Sequence, residues 1–265
     1  MQLETQKILV NLGCGRVYHS SWHNVDIQPI DETIARIDLT QALPFDSNSV
    51  AVIYSSHVLE HLTRYQALFF LAECKRALCD GGILRLVVPD LEAIVRLYLE
   101  NLEKAISGDR TAAQRYQWMM LELFDQMIRT QSGGAMLDFW QQDPLPEENF
   151  IRSRMGKELA NFLQVFRALS PEEQSTQCRS VKESLIQNDG KWNLDFLQSG
   201  ELHRWMYDRY SLSLILKKQG FEEIAVCQAD QSRIPNFTSY QLDTDSTGEA
   251  RKPDSLFIEA IKVSK

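Results

Sequence analysis

The chain has 265 residues, 44% hydrophobic and 24% charged, with a formal net charge of −8. These proportions suit a globular chain, and the acidic balance has the wrong sign for a general grip on nucleic acid. The five cysteines (14, 74, 79, 178 and 227) form no C-x-x-C pair, so neither a disulfide framework nor a cysteine zinc site is expected, and a reducing cytoplasm fits best.

No apolar run approaches the ~18 residues of a membrane span, and MQLETQKILVNLG lacks the layout of a secretion signal. Arg152, Arg154 and Lys157 are the local basic spot.

KILVNLG (7–13) is a short apolar run closed by glycine and is predicted to be a buried strand and tight turn. WHNVDI (22–27) and TIARIDL (33–39) are further strand candidates, each with an acid near its end, Asp26 and Asp38. LPFDSNS (43–49) is a loop, and VAVIYSS (50–56) a buried β-branched strand. RYQALFFLAECKRALC (64–79) carries a helical stripe, with DGG (80–82) as its expected stop. ILRLVVPD (83–90) is the next buried strand. This alternation favours a parallel α/β sheet.

After Asp90 the pattern turns helical. Segments 91–106, 112–129 and 156–169 have helical periodicity, and strand signals nearly vanish between about 91 and 200. Polar breaks fall at QSGG (131–134) and QQDPLPEEN (141–149). The sheet pattern resumes with a helix at 208–220 and strands at 221–229 and 255–263, joined by a polar loop at 243–254.

Gly13-x-Gly15 follows the first strand, as in dinucleotide folds, but position 18 is Tyr and Asp26 comes only 13 residues after Gly13. The dinucleotide pattern wants a third glycine and an acid about 20 residues on. The short connection leaves little room for the helix whose N-terminus would hold a pyrophosphate.

Taken together, ILVNLGCG, WHNVDIQP, IDLTQALPFDSNSVAVIYSSHVLEHL and LAECKRALCDGGILRLVVPDL resemble the class I S-adenosylmethionine (SAM)-dependent methyltransferases, within them the type 11 methyltransferase-domain group. The resemblance is close over 7–98, and 200–224 resembles the later helix and strand. It implies a Rossmann-like sheet, mostly parallel with an antiparallel last strand, and a helical insertion after the fifth strand. The expected division is a core at 1–98, an insertion covering the acceptor site at 99–200, and a closing core at 201–265.

The resemblance also implies that Gly13, Cys14 and Gly15 line the methionyl and ribose part of SAM, with Asn11 and Ile27 also among the cofactor-binding residues. Asp26 would hold the ribose, Asp38 with Leu39 would border the adenine, and Ser55 to His57 would lie near the methyl group. The chemistry agrees, because a carboxylate can accept from both ribose hydroxyls and a second one from the adenine amine. In isolation each residue has a plainer role, the glycines in a left-handed turn and the acids as loop caps; their joint order favours the cofactor.

His57-Val58-Leu59-Glu60-His61 spells H-x-x-E-H, a zinc-peptidase string that needs both histidines on one helix face. It starts directly after a strand, so zinc hydrolysis is kept only as a remote alternative. The plainer roles are packing for His61 and an arginine or amide partner for Glu60. The candidate general bases are His57, His203 and Asp90; His203 is as readily a structural histidine beside Trp205. Trp118, Met119, Met120, Phe124, Phe139, Trp140, Phe162 and Phe166 either form the insertion's core or line an acceptor pocket, and 129–140 is a candidate flap.

The expected function is transfer of a methyl group from SAM to a small-molecule or glycan acceptor, with O-methylation favoured. The alternative is a non-catalytic SAM-binding or partner-binding protein on the same fold.

Overall fold

The computed structural model describes residues 8–189, 191 and 193–264; Lys7, at the head of the first expected strand, lies outside them. The strands are β1 (Ile8–Leu12), β2 (His23–Asp26), β3 (Ala35–Arg36), β4 (Val50–Ser56), β5 (Leu78–Pro89), β6 (Phe221–Cys227) and β7 (Ser255–Lys262). They form one sheet in the order β3-β2-β1-β4-β5-β7-β6. β1 to β5 are parallel, and β7 runs antiparallel to both β5 and β6. The expected sheet class is the one found.

The helices in chain order are α1 (Arg64–Ala77), α2 (Leu91–Ile106), α3 (Arg110–Ile128), α4 (Gly134–Trp140), α5 (Glu148–Met155), α6 (Lys157–Arg167), α7 (Pro171–Asn188), α8 (Leu194–Gln198) and α9 (Arg209–Lys218). α1 starts at a capping box, in which Thr63 accepts from the Gln66 backbone and Gln66 returns a bond to the Thr63 N–H.

DGG does not end α1. The helix stops at Ala77, and Leu78 is already extended and paired. Leu78 pairs with Val50 and Ile83 with Val52, so residues 79–82 bulge opposite one residue of β4. Gly81, at φ +75°, supplies the left-handed step this needs. The third strand is also shorter than expected. The side chain of Asp31 accepts from Thr33, and that of Asp38 from Thr40, so a side-chain turn clips it at each end.

Both faces of the sheet are covered, which is why its strands read as continuous apolar runs. On one face Val10, Leu12, Ile53, Leu84 and Leu86 pack with Phe70 and Leu71 of α1 and Leu212 and Leu216 of α9. On the other, Val52, Tyr54, Val87 and Phe257 pack with Trp22, Ile234, Phe237 and Leu242. That second cluster draws on loops, in keeping with the short β1–β2 connection.

Arg85 of β5 pins those loops. It is 0% exposed and pairs with Asp243 at 2.7 Å and Glu259 at 2.8 Å. Tyr54 donates to Asp243 at 2.6 Å, Arg85 donates to the Gln231 carbonyl, and the guanidinium lies 4.5 Å from the Phe237 ring centre. Segment 243–254 is therefore not a wholly solvated loop, since Asp243 and Thr244 at its start are buried.

The described residues divide into a sheet unit (within 8–90, 205–250 and 255–264) and a helical unit (within 91–204 and 251–254). The expected boundary at 98/99 falls inside α2, whose sixteen residues form one uninterrupted helix within the helical unit. That unit has its own core. Trp118, Met119, Trp140, Ile151, Leu159, Leu163 and Phe166 are buried, and the Trp118 and Trp140 rings stack at 6.1 Å, whereas Phe124 is 49% exposed.

The basic spot is internally neutralised. Arg154 is buried on Glu122 at 2.8 Å, and Arg152 meets Glu148 at 2.8 Å. The candidate flap is tied down. Arg129 pairs with Asp125 and Glu201, and Asp125 accepts from Ala135 N–H at 2.7 Å.

Candidate cofactor and active site

The parallel strands end along one edge of the sheet, with the topological switch between β1 and β4, where open α/β sheets bind ligands. After β1 the chain turns through Gly13 (φ +71°) and Gly15 (φ +52°). The Gly13 and Cys14 N–H groups both donate to the Val25 carbonyl of β2, at 2.9 and 3.0 Å. A Cβ on Gly13 would lie 2.2 Å from Val58 Cγ2, so the turn and the start of the post-β4 loop approach too closely for any side chain.

Asp26 closes β2 and is oriented by two backbone donors. Gly15 N–H gives to Oδ2 at 2.8 Å and Gln28 N–H to Oδ1 at 2.9 Å. Each oxygen keeps a second acceptor direction, a fit to the paired hydroxyls of a ribose. Asp38 is exposed, and Thr40 holds its Oδ1 through N–H (2.9 Å) and hydroxyl (2.7 Å). Those bonds keep its carboxyl below the ordinary range, so it stays an acceptor.

Ile27 is 49% exposed beside Asp26, an apolar surface suited to a planar ring, while Leu39 is in the core. Cys14 is buried, and burial followed by the Asp26 charge pushes its thiol up to about 11. The thiol is therefore held neutral and is a poor nucleophile.

Two expected cofactor residues spend their side chains inside the protein. Asn11 is buried and donates to Val17 O and Asn24 Oδ1, both at 3.2 Å, while Asn24 holds the His19 and Trp22 carbonyls. This pair shapes the 14–22 loop. Ser55, also buried, ties β4 to β1 by donating to the Leu12 carbonyl at 3.0 Å.

His57 follows β4 at φ +53°, with its N–H on the Val87 carbonyl at 2.9 Å. Its Nδ1 lies 3.0 Å from Glu60 Oε1 and its Nε2 lies 2.9 Å from Ser255 Oγ. Glu60 thus meets an imidazole. The H-x-x-E-H string does not lie along one α-helix. His57 precedes it in a left-handed conformation, and Leu59–His61 is a single 3₁₀ turn. With both His57 ring nitrogens engaged, the string lacks the helical histidine pair that the zinc peptidase pattern requires.

Asp90 stands at the end of β5 and bridges to Tyr207. Tyr207 is 1% exposed, and burial followed by the Glu60 charge moves its hydroxyl up to about 12. His203 belongs to the helical unit, where it is buried and its N–H donates to the Gln126 carbonyl at 2.9 Å. Ser255 and Tyr207 carry no local motif; only the pairing of β7 with β5 and the Asp90 bridge bring them to this edge.

A sheet in this order with one antiparallel strand, a glycine turn after β1 and an oriented acid after β2 defines the class I SAM-dependent methyltransferase fold. Residues 10–86 match the family model described as a methyltransferase domain. That segment, β1 to most of β5, is a methyltransferase domain of the type 11 group.

Similar solved structures include a methyltransferase in complex with the Trm112 activator from Haloferax volcanii (13% identity, 100% of this chain and 86% of that one, TM-score 0.39). A SAM-dependent methyltransferase from Archaeoglobus fulgidus is 11% identical (97% and 86%, TM-score 0.41), and one from Thermotoga maritima 10% identical (97% and 82%, TM-score 0.38). No curated protein matches the sequence. Among the described residues no helix is long and apolar enough to cross a membrane.

Proposed function

We propose that the chain methylates a hydroxyl group of a small-molecule or sugar-type acceptor, with Gly13, Cys14, Gly15, Asp26, Ile27 and Asp38 holding SAM. The observation that carries the cofactor part is Asp26, whose two oxygens are aimed by Gly15 and Gln28 N–H groups at the edge where the methyltransferase sheet binds its ligand. When bound, SAM supplies a methyl group on a sulfonium sulfur that leaves as a neutral thioether.

The chain then has to position the acceptor and remove its proton. We assign the proton to His57 Nε2. Glu60 on Nδ1 orients the ring and stabilises the imidazolium, and the acceptor hydroxyl takes the place Ser255 Oγ holds against Nε2. Asp90, at the end of the next strand, orients the acceptor, and His203 serves turnover without contributing to SAM affinity.

Titration calorimetry with SAM tests the cofactor site, and a screen of hydroxyl-bearing acceptors with methyl-labelled SAM tests the transfer. His57→Ala and His203→Ala should both bind SAM, with turnover reduced. Undiminished turnover in His57→Ala would remove it as the base, and the same result in His203→Ala would remove its assignment.

A further inference from the structure

Ser255 is hydrogen-bonded to His57, whose other ring nitrogen lies within ion-pair distance of Glu60, and methyl transfer gives the serine hydroxyl no task of its own. β7 begins at Ser255, opposite Pro89 of β5, so the hydroxyl sits at the carboxyl edge of β5. It is half-buried, with Oγ 2.9 Å from His57 Nε2. On the other side of the ring Nδ1 is 3.0 Å from Oε1 of Glu60, which is 0% exposed.

Hydroxyl, Nε2, Nδ1 and carboxylate follow one another in the order of nucleophile, base and orienting acid. The buried carboxylate favours the tautomer with its proton on Nδ1, which leaves Nε2 to accept from the serine. His57 is held for this in a left-handed backbone conformation that a non-glycine residue seldom adopts. Its N–H is anchored on Val87 O, so the fold fixes the ring where the serine meets it.

We propose that Ser255 is a nucleophilic serine, activated by His57 and Glu60, that takes acyl groups from esters. Ser255 Oγ attacks the ester carbonyl carbon and its proton passes to His57 Nε2, the imidazolium being stabilised by Glu60. Collapse of the tetrahedral adduct breaks the bond to the alcohol, which leaves with that proton, and the acyl group stays on Ser255. Water then attacks, giving its proton to His57, and release of the carboxylic acid restores the hydroxyl. No cofactor enters, although His57 and Glu60 are the groups that the methyl-transfer reading also uses.

The test uses the full chain, treated with a fluorophosphonate and separately with p-nitrophenyl acetate, and the modified peptide is located by mass spectrometry. One phosphonyl group is expected on Ser255, with continuing release of p-nitrophenolate. Ser255→Ala should abolish both, His57→Gln should slow labelling by about 100-fold or more, and Glu60→Gln by about tenfold. Circular dichroism verifies the fold of each variant. An unmodified chain that labels elsewhere or not at all overturns the proposal, and so does labelling of a folded His57→Gln chain at an undiminished rate.

Discussion

Asp26 and Gly13 show how differently two residues of one turn constrain the molecule. Asp26 acts through its carboxylate, with both oxygens oriented by backbone donors. Charge-assisted hydrogen bonds contribute about 1.5–3 kcal/mol each, so Asp26→Ala and Asp26→Asn should lower SAM affinity about 100-fold or more, as read by calorimetry. Retained affinity in both variants would remove Asp26 from the site. Gly13 acts through what it lacks. Gly13→Ala adds a Cβ 2.2 Å from Val58 Cγ2 at a φ of +71°, and should lower stability by about 2–4 kcal/mol in urea unfolding. Adding Val58→Ala should recover the steric share and leave the backbone share, a separation that a double-mutant cycle measures.

Among the elements, β5 and the pair α5–α6 carry the clearest electrostatic dependence. Arg85 on β5 offsets two buried carboxylates, Asp243 and Glu259. Burial raises the Asp243 carboxyl, and the Arg85 charge is the largest influence opposing that shift. Arg85→Ala strands both acids and should cost about 3–5 kcal/mol in denaturant unfolding. A loss below about 1 kcal/mol would mean that the loops hold without it.

In the helical unit Glu148 of α5 pairs with Arg167 of α6 at 2.6 Å and with Arg152 at 2.8 Å. These bonds, that to Arg167 first, bring its carboxyl from the ordinary 4.5 down to about 2. A carboxyl depressed in the folded state stabilises above its unfolded pKa and loses that contribution as pH falls towards the folded value. The stability gap between the native chain and Glu148→Gln should therefore be about 1 kcal/mol at pH 7. It should shrink between about pH 4.5 and 2, as followed by chemical denaturation across that range.

For the whole molecule, SAM should act as a ligand of the folded sheet unit. At 100 times its dissociation constant it should add about 2.7 kcal/mol of stability, and calorimetric melting checks this. Hydrogen exchange should slow around residues 13–15, 26–28 and 38–40, where the glycine turn and the two acids meet the edge. Protection that rises only elsewhere would place the cofactor at a different site.

Much of this organisation is legible in the chain itself, because local periodicity is a local property. VAVIYSS marks β4 at both ends, and the apolar spacing of 91–106 marks α2. Gly13, Gly15 and Asp26 are readable as the turn after β1 and the acid that closes β2, because both signals are local. DGG misleads because a glycine pair suits a helix stop and a strand bulge equally, and only the register against β4 chooses between them. Asp243 reads as a loop residue because its partner Arg85 is 158 positions away.

By itself the sequence determined the main strands, the helices α1, α2, α3, α6 and α9 and the helical insertion, all set by neighbours within a few residues. Only the tertiary structure decided that Asn11 and Ser55 turn inward, that Glu60 takes His57, and that Ser255 meets the same imidazole. Those contacts depend on strand order and register, and an antiparallel β7 beside β5 brings together residues that no local pattern joins.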